Sequence, residues 1–285
     1  MTENPTNRPV AVVAGAGPGN GQALAQRFAE AGYAVALLAR DVAKVEALAA
    51  EVTNARGYAC DVGDAGSVAA TFAAIRADLG EVDALLFNAG SGVFADVEAI
   101  TTEQFEAAWR VNALGGLLCA KQVFPAMIER GKGSIIFIGA TASRRGGIHT
   151  AAFAPAKAAQ RSLAESMARK LWPKGIHVAL VIIDGVVDLP GSRERMPERS
   201  VDAFVSPTAL AETVHSLTIQ DRRGWSFEVE VRPFLEPWTS SWKRDGHSRL
   251  SVRLPFTHTA IFGDLPTALT AIKSRALQGK VVVKL

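Results

Sequence analysis

The stretch Val10-Ala-Val-Val-Ala14-Gly15-Ala-Gly17-Pro-Gly19-Asn20-Gly21 decides the fold. Val10 to Ala14 is a short apolar run of strand type. From Gly21 to Ala31 the spacing becomes helical, with Leu24 and Phe28 on one face. The glycines between them allow positive φ and admit a ligand close to the backbone, where a Cβ would intrude. The following helix start offers free N–H groups and the positive end of a dipole. A glycine-rich turn between a first strand and a first helix predicts a cradle for a pyrophosphate.

Outward from that turn the alternation continues. Tyr33 to Ala39 is again unbroken and apolar, and Asp41 is placed to cap a helix over Asp41 to Asn54. Further strands are predicted at Tyr58–Cys60, Asp83–Phe87, Ser134–Gly139 and His177–Ile183, with helices between them that include Thr102–Arg130 and Thr150–Trp172. Continuous apolar strands separated by amphipathic helices imply α/β architecture, a doubly wound parallel sheet covered on both faces. From Asp188 to Val205 the pattern breaks at Pro190, Gly191 and Pro197. That predicts an exposed loop where a substrate would enter an open α/β sheet. A helix over Pro207–Gln220 and an edge strand over Trp225–Val231 follow.

Composition is that of a globular chain, 48% hydrophobic and 21% charged. The polar residues 1–9 read as a flexible lead-in without an apolar signal core, and no apolar run reaches the roughly 18 residues of a spanning helix. A cytoplasmic protein is the expectation. The net charge of +3 is unevenly spread: residues 239–285 carry eight Lys/Arg against two Asp/Glu, while the preceding 238 carry 23 against 26. The tail's cations are scattered and lack interleaved aromatics, which argues against nucleic-acid binding. Cys60 and Cys119 read as buried free thiols, and no Cys/His spacing fits a metal site. The domain reading is a flexible 1–9, a dinucleotide-binding and catalytic domain over 10–238, and a basic extension over 239–285. In the extension, Asp264 is placed to cap a helix with Pro266 in its first turn and Gly279 at its end, followed by a strand in Gly279-Lys-Val-Val-Val283.

Several short motifs follow in order. At the tip of the second strand an acidic residue would hold the adenosine ribose of NAD. Here that place is Ala39, with Arg40 next, and a guanidinium pairs with a 2′-phosphate, which favours NADP(H) over NAD(H). Downstream come Asp61-Val62, Asn88-Ala89-Gly90, Val111-Asn112-Ala113 and, four residues apart on one helix face, Phe153 and Lys157. With the Gly15-x-x-x-Gly19-x-Gly21 spacing, this series resembles the short-chain dehydrogenase/reductase family over residues 10 to about 190. The run 265–285 loosely resembles the C-terminus of medium-chain dehydrogenases.

The first resemblance implies hydride transfer between a nicotinamide and a carbonyl or alcohol carbon. It implies cofactor contacts at Gly15, Gly17, Gly19, Asn20, Gly21, Asp61, Val62, Asn88, Ala89, Gly90, Lys157 and Gly185, and an Asn112 that anchors the lysine through water. It also exposes four departures. The tyrosine that acts as acid/base is Phe153, and the serine that orients the substrate oxygen falls on Ala140. The Pro-Gly pair after the next strand is Asp184-Gly185, and the threonine beyond it is Leu189. Phenylalanine has no proton to give. Thr141, Ser143, His149 and Asp184 remain as candidate donors, with Thr141 expected on the far side of its strand. His149 is expected to be solvated and His177 half-buried. Two readings stand: an NADP(H)-dependent oxidoreductase for a small carbonyl or alcohol with an altered site, or an NADP(H)-binding protein acting through a partner without turnover. Family resemblance also implies a homodimer or homotetramer built on the two long helices.

Overall fold

The structure, a computed structural model, describes residues 8–236, 250–253, 259–262 and 282–283. It divides into two compact units, residues 1–236 and 237–285.

The first unit is a seven-stranded sheet, all neighbours parallel: β1 (Val10–Ala14), β2 (Ala34–Ala39), β3 (Ala55–Ala59), β4 (Val82–Phe87), β5 (Gly133–Ala140), β6 (Ile176–Ile183) and β7 (Glu228–Val231). The strand order is β3-β2-β1-β4-β5-β6-β7. The chain winds outward first to one side of β1 and then to the other, so the switch point lies between β1 and β4, where open α/β sheets bind their ligands. Side chains alternate across the sheet as strand geometry requires. Val10, Val12 and Ala14 face one core, and Ala11 and Val13 face the other.

Each core is closed by helices with apolar stripes. On the first face, α3 (Ala65–Asp78) contributes Phe72 and Ile75, α5 (Gly115–Arg130) contributes Val123 and Met127, and α6 (Phe153–Leu171) contributes Ala164 and Met167. On the second, α1 (Asn20–Glu30) contributes Leu24 and Phe28, α2 (Val42–Ala50) Val45 and Leu48, and α8 (Pro207–Thr218) Leu210 and Val214. By length and mean hydropathy alone Thr102–Arg130 is long and apolar enough to cross a membrane, although it contains no uninterrupted apolar run of the length considered above. Its apolarity serves the core: Cys119, Ala120, Val123 and Met127 are buried in it.

Several boundaries differ from the sequence reading for local reasons. The stretch expected as one helix is α4 (Thr102–Trp109), a π-helical turn over Arg110–Leu114, and α5. The α2 helix stops at Ala50, and Asn54 beyond it adopts φ 58. Thr150 is drawn into a turn, its hydroxyl accepting from Gly147 N at 2.7 Å, so α6 starts at Phe153. The segment expected as a loop carries α7 (Pro190–Arg195) and a 3-10 turn over Val201–Ala203. His177 is fully buried rather than half-buried, stacked on Trp225 at 4.7 Å with its ring nitrogens facing the Leu217 and Ser226 carbonyls. Both cysteines are buried and free, and burial pushes both thiols up.

In the second unit, β8 (Leu250–Arg253) pairs antiparallel with β9 (Thr259–Phe262) and with β10 (Val282–Val283). The strand expected at 279–283 corresponds to β10. The two strands β8 and β9 have no clear signal in the sequence. The expected helix from Asp264 to Gly279 lies outside the described residues.

Phe137 on β5 packs against the Phe87 ring at 5.8 Å, and a Cβ on Gly116 would lie 2.8 Å from it. Phe137→Ala is expected to cost about 3–5 kcal/mol in denaturant unfolding, the usual cost of emptying such a site. A change below about 1 kcal/mol would show that the face collapses to fill the space.

Candidate active site

The site begins where β1 ends. Gly15 has φ 89, and its N–H donates to the Leu38 carbonyl of β2 at 2.9 Å. The Asn88 side chain, just past β4, donates to the Gly15 carbonyl at 2.8 Å. A Cβ on Gly15 would lie 2.4 Å from the Ala89 Cα. Three strand ends therefore meet at a residue that only glycine can be. Gly21 lets α1 start close to the same turn, since a Cβ there would lie 2.9 Å from the Ala16 Cα. Gly19 is the N-cap of α1 and carries no side-chain cap; the Gln22 N–H donates to the Gly17 carbonyl at 2.9 Å, which leaves the Asn20 and Gly21 N–H groups to an outside acceptor. The Asn20 Oδ1 is buried without a partner among the described residues.

A cleft of about 1420 Å³ runs from this turn across the switch point. Gly15, Gly17, Arg40, Asp61, Val62, Asn88, Ala89 and Gly90 all line it. Gly19, Asn20 and Gly21 sit beside it at the start of α1, whereas Gly185 packs against Pro233 and does not line it. Arg40 is exposed at the end of β2, with Lys44 also on the wall. Asp41 is occupied as the cap of α2: its carboxylate accepts from Lys44 N at 3.1 Å, and that bond holds it below the usual carboxylate range.

At the other end of the cleft Lys157 is buried, 4% exposed. Its Nζ donates to the Ile138 carbonyl at 2.8 Å and to Gln160 Oε1 at 3.3 Å. Burial without a carboxylate partner brings the ammonium down from 10.5 to about 8. Asn112 lies in the π-helical turn, and its amide donates to the Ala108 carbonyl at 2.9 Å and the Ser91 carbonyl at 3.2 Å. Its Oδ1 is buried with no partner among the described residues. A Cβ on Gly90 would lie 3.3 Å from that oxygen and 3.7 Å from Lys157 Nζ. Both polar groups thus converge on one bare backbone position.

The position at which the family resemblance implies an acid holds an aromatic ring. Phe153 stands one turn before Lys157, its ring centroid 6.0 Å from Nζ and 5.3 Å from the Phe94 ring. Ala140 ends β5, and its N–H donates to Ser143 Oγ at 3.1 Å. Thr141 opens the 3-10 turn after β5, and its hydroxyl donates to Asp184 at the end of β6. Asp184 also pairs with Arg232 at 3.0 Å. His149 is exposed in the loop before α6. Sequence reasoning missed Gln160, Phe94 and Arg232. Gln160 was reachable, being three residues from Lys157 on one helix. The other two come from distant segments and carry no local signal.

Residues 9–198 match the short chain dehydrogenase family. The chain belongs to that family. It is 35% identical over 203 residues to an inactive 2-(S)-hydroxypropyl-CoM dehydrogenase of Xanthobacter autotrophicus, covering 66% of this chain and 88% of the relative. It is 30% identical over 193 residues to a 2-dehydro-3-deoxy-L-rhamnonate dehydrogenase (NAD(+)) of Sphingomonas, covering 67% and 77%. A metagenomic short-chain oxidoreductase solved with NADP superposes with TM-score 0.70 at 30% identity, covering 80% of this chain and 98% of that one.

For this short-chain dehydrogenase, the uncapped α1 start, the cradle at Gly15 and the open Asn112 Oδ1 fit a dinucleotide. When bound, that group supplies or accepts a hydride. The buried lysine also has a measurable consequence. Below about pH 8 folded and unfolded chains both hold its proton, and the burial cost is felt in full. Between about 8 and 10.5 the unfolded chain binds more protons, so the lysine contributes a rise in stability with pH. Without added dinucleotide, wild type should gain stability relative to Lys157→Met across that window, by on the order of 3 kcal/mol. Parallel pH profiles of unfolding free energy would refute it.

Proposed function

We propose that this chain is an NADP(H)-dependent oxidoreductase for a small carbonyl or alcohol whose proton-transfer step is impaired. The observation that carries the reading is the pair Phe153 and Lys157: the lysine side chain remains in place one helical turn from a ring that cannot ionise. The chain's own residues divide the work. The Gly15–Gly21 turn and the first N–H groups of α1 would receive the pyrophosphate. Arg40, exposed at the cleft wall, would pair with the 2′-phosphate. Lys157 and Asn112 would face the nicotinamide ribose across Gly90.

Near the reacting end the Thr141 proton is committed, whereas Ser143 only accepts and keeps its own proton. Ser143 accepts from the Ala140 N–H, and Thr141 donates to Asp184. A missing general acid typically lowers the rate by about 10²–10⁴-fold. The second reading, dinucleotide binding with no turnover, draws support from the similarity to a relative described as inactive.

Two measurements test the proposal. NADPH oxidation over a panel of aldehydes and ketones should be slow with wild type and rise about 10²–10⁴-fold in an Ala140→Ser/Phe153→Tyr variant. Turnover by the variant alone would favour the second reading, and no gain in the variant would overturn the assignment of the two positions. Separately, Arg40→Ala should weaken NADPH binding by about tenfold or more and leave NADH binding within about twofold, since a charge-assisted bond to the 2′-phosphate is lost. Equal losses for both would remove the basis for preferring NADP(H).

A further inference from the structure

The segment after β4 does more than pass over the cleft. It lines the wall at Gly90, Ser91 and Gly92, and Phe94, which follows, turns its ring back towards Gly92. A Cβ on Gly92 would lie 2.9 Å from the Phe94 ring, so the ring rests against bare backbone of the cleft wall. A parallel bridge between Ala95 and Thr150, with the Ala151 N–H donating to the Ala95 carbonyl at 3.1 Å, ties this segment to the approach of α6. That tie seats Phe94 on Phe153, ring centroids 5.3 Å apart and tilted by 50°. Phe94 is nevertheless 66% exposed. Most of a large aromatic face is therefore held in place and left open at the reacting end of the site. The neighbouring polar handles have gone: the positions one turn before Lys157 and at the end of β5 are Phe153 and Ala140.

We propose that Phe94 and Phe153 form an aromatic platform that selects a flat, apolar carbonyl ligand, an aryl ketone or aldehyde, over a polyol. Phe94 is the specificity-determining residue of the pair, because Phe153 is already assigned to the altered acid position. The inference rests on the dinucleotide reading of the cleft. An aryl ring stacks or packs edge-on against such a platform with ring centroids about 4.5–7 Å apart. A polyol would have to strip water from its hydroxyls against a surface that returns no hydrogen bond, which is unfavourable.

The test uses full-length protein saturated with NADPH. The probes are 2-acetonaphthone and galactitol, followed by ligand-observed NMR titration. The expected result is binding of 2-acetonaphthone with no detectable binding of galactitol at equal concentration. Phe94→Ala should weaken 2-acetonaphthone by about fivefold, and Phe94→Trp should retain it, because the contribution is that of one aromatic contact. NADPH affinity should be unchanged in both variants, which also reports that they fold. Galactitol binding as tightly as 2-acetonaphthone would overturn the inference, and so would an unchanged dissociation constant in Phe94→Ala. Failure of wild type to bind NADPH would overturn the cofactor reading and this inference with it.

Discussion

The approach of Gly15 to Ala89 is the constraint on which the rest of the site depends. The 2.4 Å that would separate a Cβ on Gly15 from the Ala89 Cα leaves no room for any side chain. Because the two backbones can touch, the ends of β1 and β4 stay level, and Asn88 reaches the Gly15 carbonyl. The same turn is anchored sideways, with both Gly15 and Ala16 donating to the Leu38 carbonyl. Position and orientation of the first N–H groups of α1 follow from this junction. So does the bare strip Gly90–Gly92 along which the cleft runs. A larger residue at Gly15 would pry open the switch point before it touched any ligand.

Lys157 illustrates a second constraint. The family resemblance implies a tyrosine beside it, and here the Phe153 ring stands one turn before it. The lysine persists in a structural triangle: Nζ donates to Ile138 of β5 and to Gln160 of its own helix, and Gln160 in turn donates to the Asn112 carbonyl of the π-helical turn at 3.0 Å. Removing the lysine would leave the Ile138 carbonyl and the Gln160 amide oxygen short of a donor in a buried setting, where each unmade bond is costly. The lysine is therefore held in place by packing and by hydrogen bonds that do not involve position 153. Its presence by itself says little about turnover.

How much of this was legible in the sequence depended on distance along the chain. The glycine turn, the alternation of strand and helix, the Asp41 cap and the Phe153–Lys157 spacing are local patterns, and each is read from fewer than twenty residues. They sufficed for the parallel sheet and for most of the cleft wall. The π-helical turn was not legible, since the run from Thr102 to Arg130 keeps a helical apolar pattern through it. Pairings between remote segments were also hidden. Phe94 meets Phe153 across 59 positions because a backbone bridge at Ala95 and Thr150 aligns them. Gly185 was expected at the cofactor and instead answers a packing demand, with Pro233 of the chain beyond β7 lying 2.8 Å from where its Cβ would be. Leu189 shows the same limit: its side chain lies over Gly19, so a residue noted only as a departure in fact packs on the glycine-rich turn.

The charged groups at the C-terminal ends of β5, β6 and β7 bear on whether another donor has replaced the tyrosine. Arg144 pairs with Glu228 and Glu230, and Arg161 pairs with Glu228 from α6. Asp184 receives the Thr141 hydroxyl and the Arg232 guanidinium. In this arrangement Thr141 directs its proton at a carboxylate. Asp184, as that carboxylate, is an acceptor on both sides. For the Thr141–Asp184 pair to serve as an acid, the threonine would have to turn off Asp184 and leave a partly buried charge less well satisfied. The ring of Phe153 offers nothing in exchange. The same cluster thus ties up the Thr141 hydroxyl. Of the donors that sequence alone would nominate, Thr141 and Asp184 are bound to each other, while Ser143 keeps its own proton and His149 is exposed.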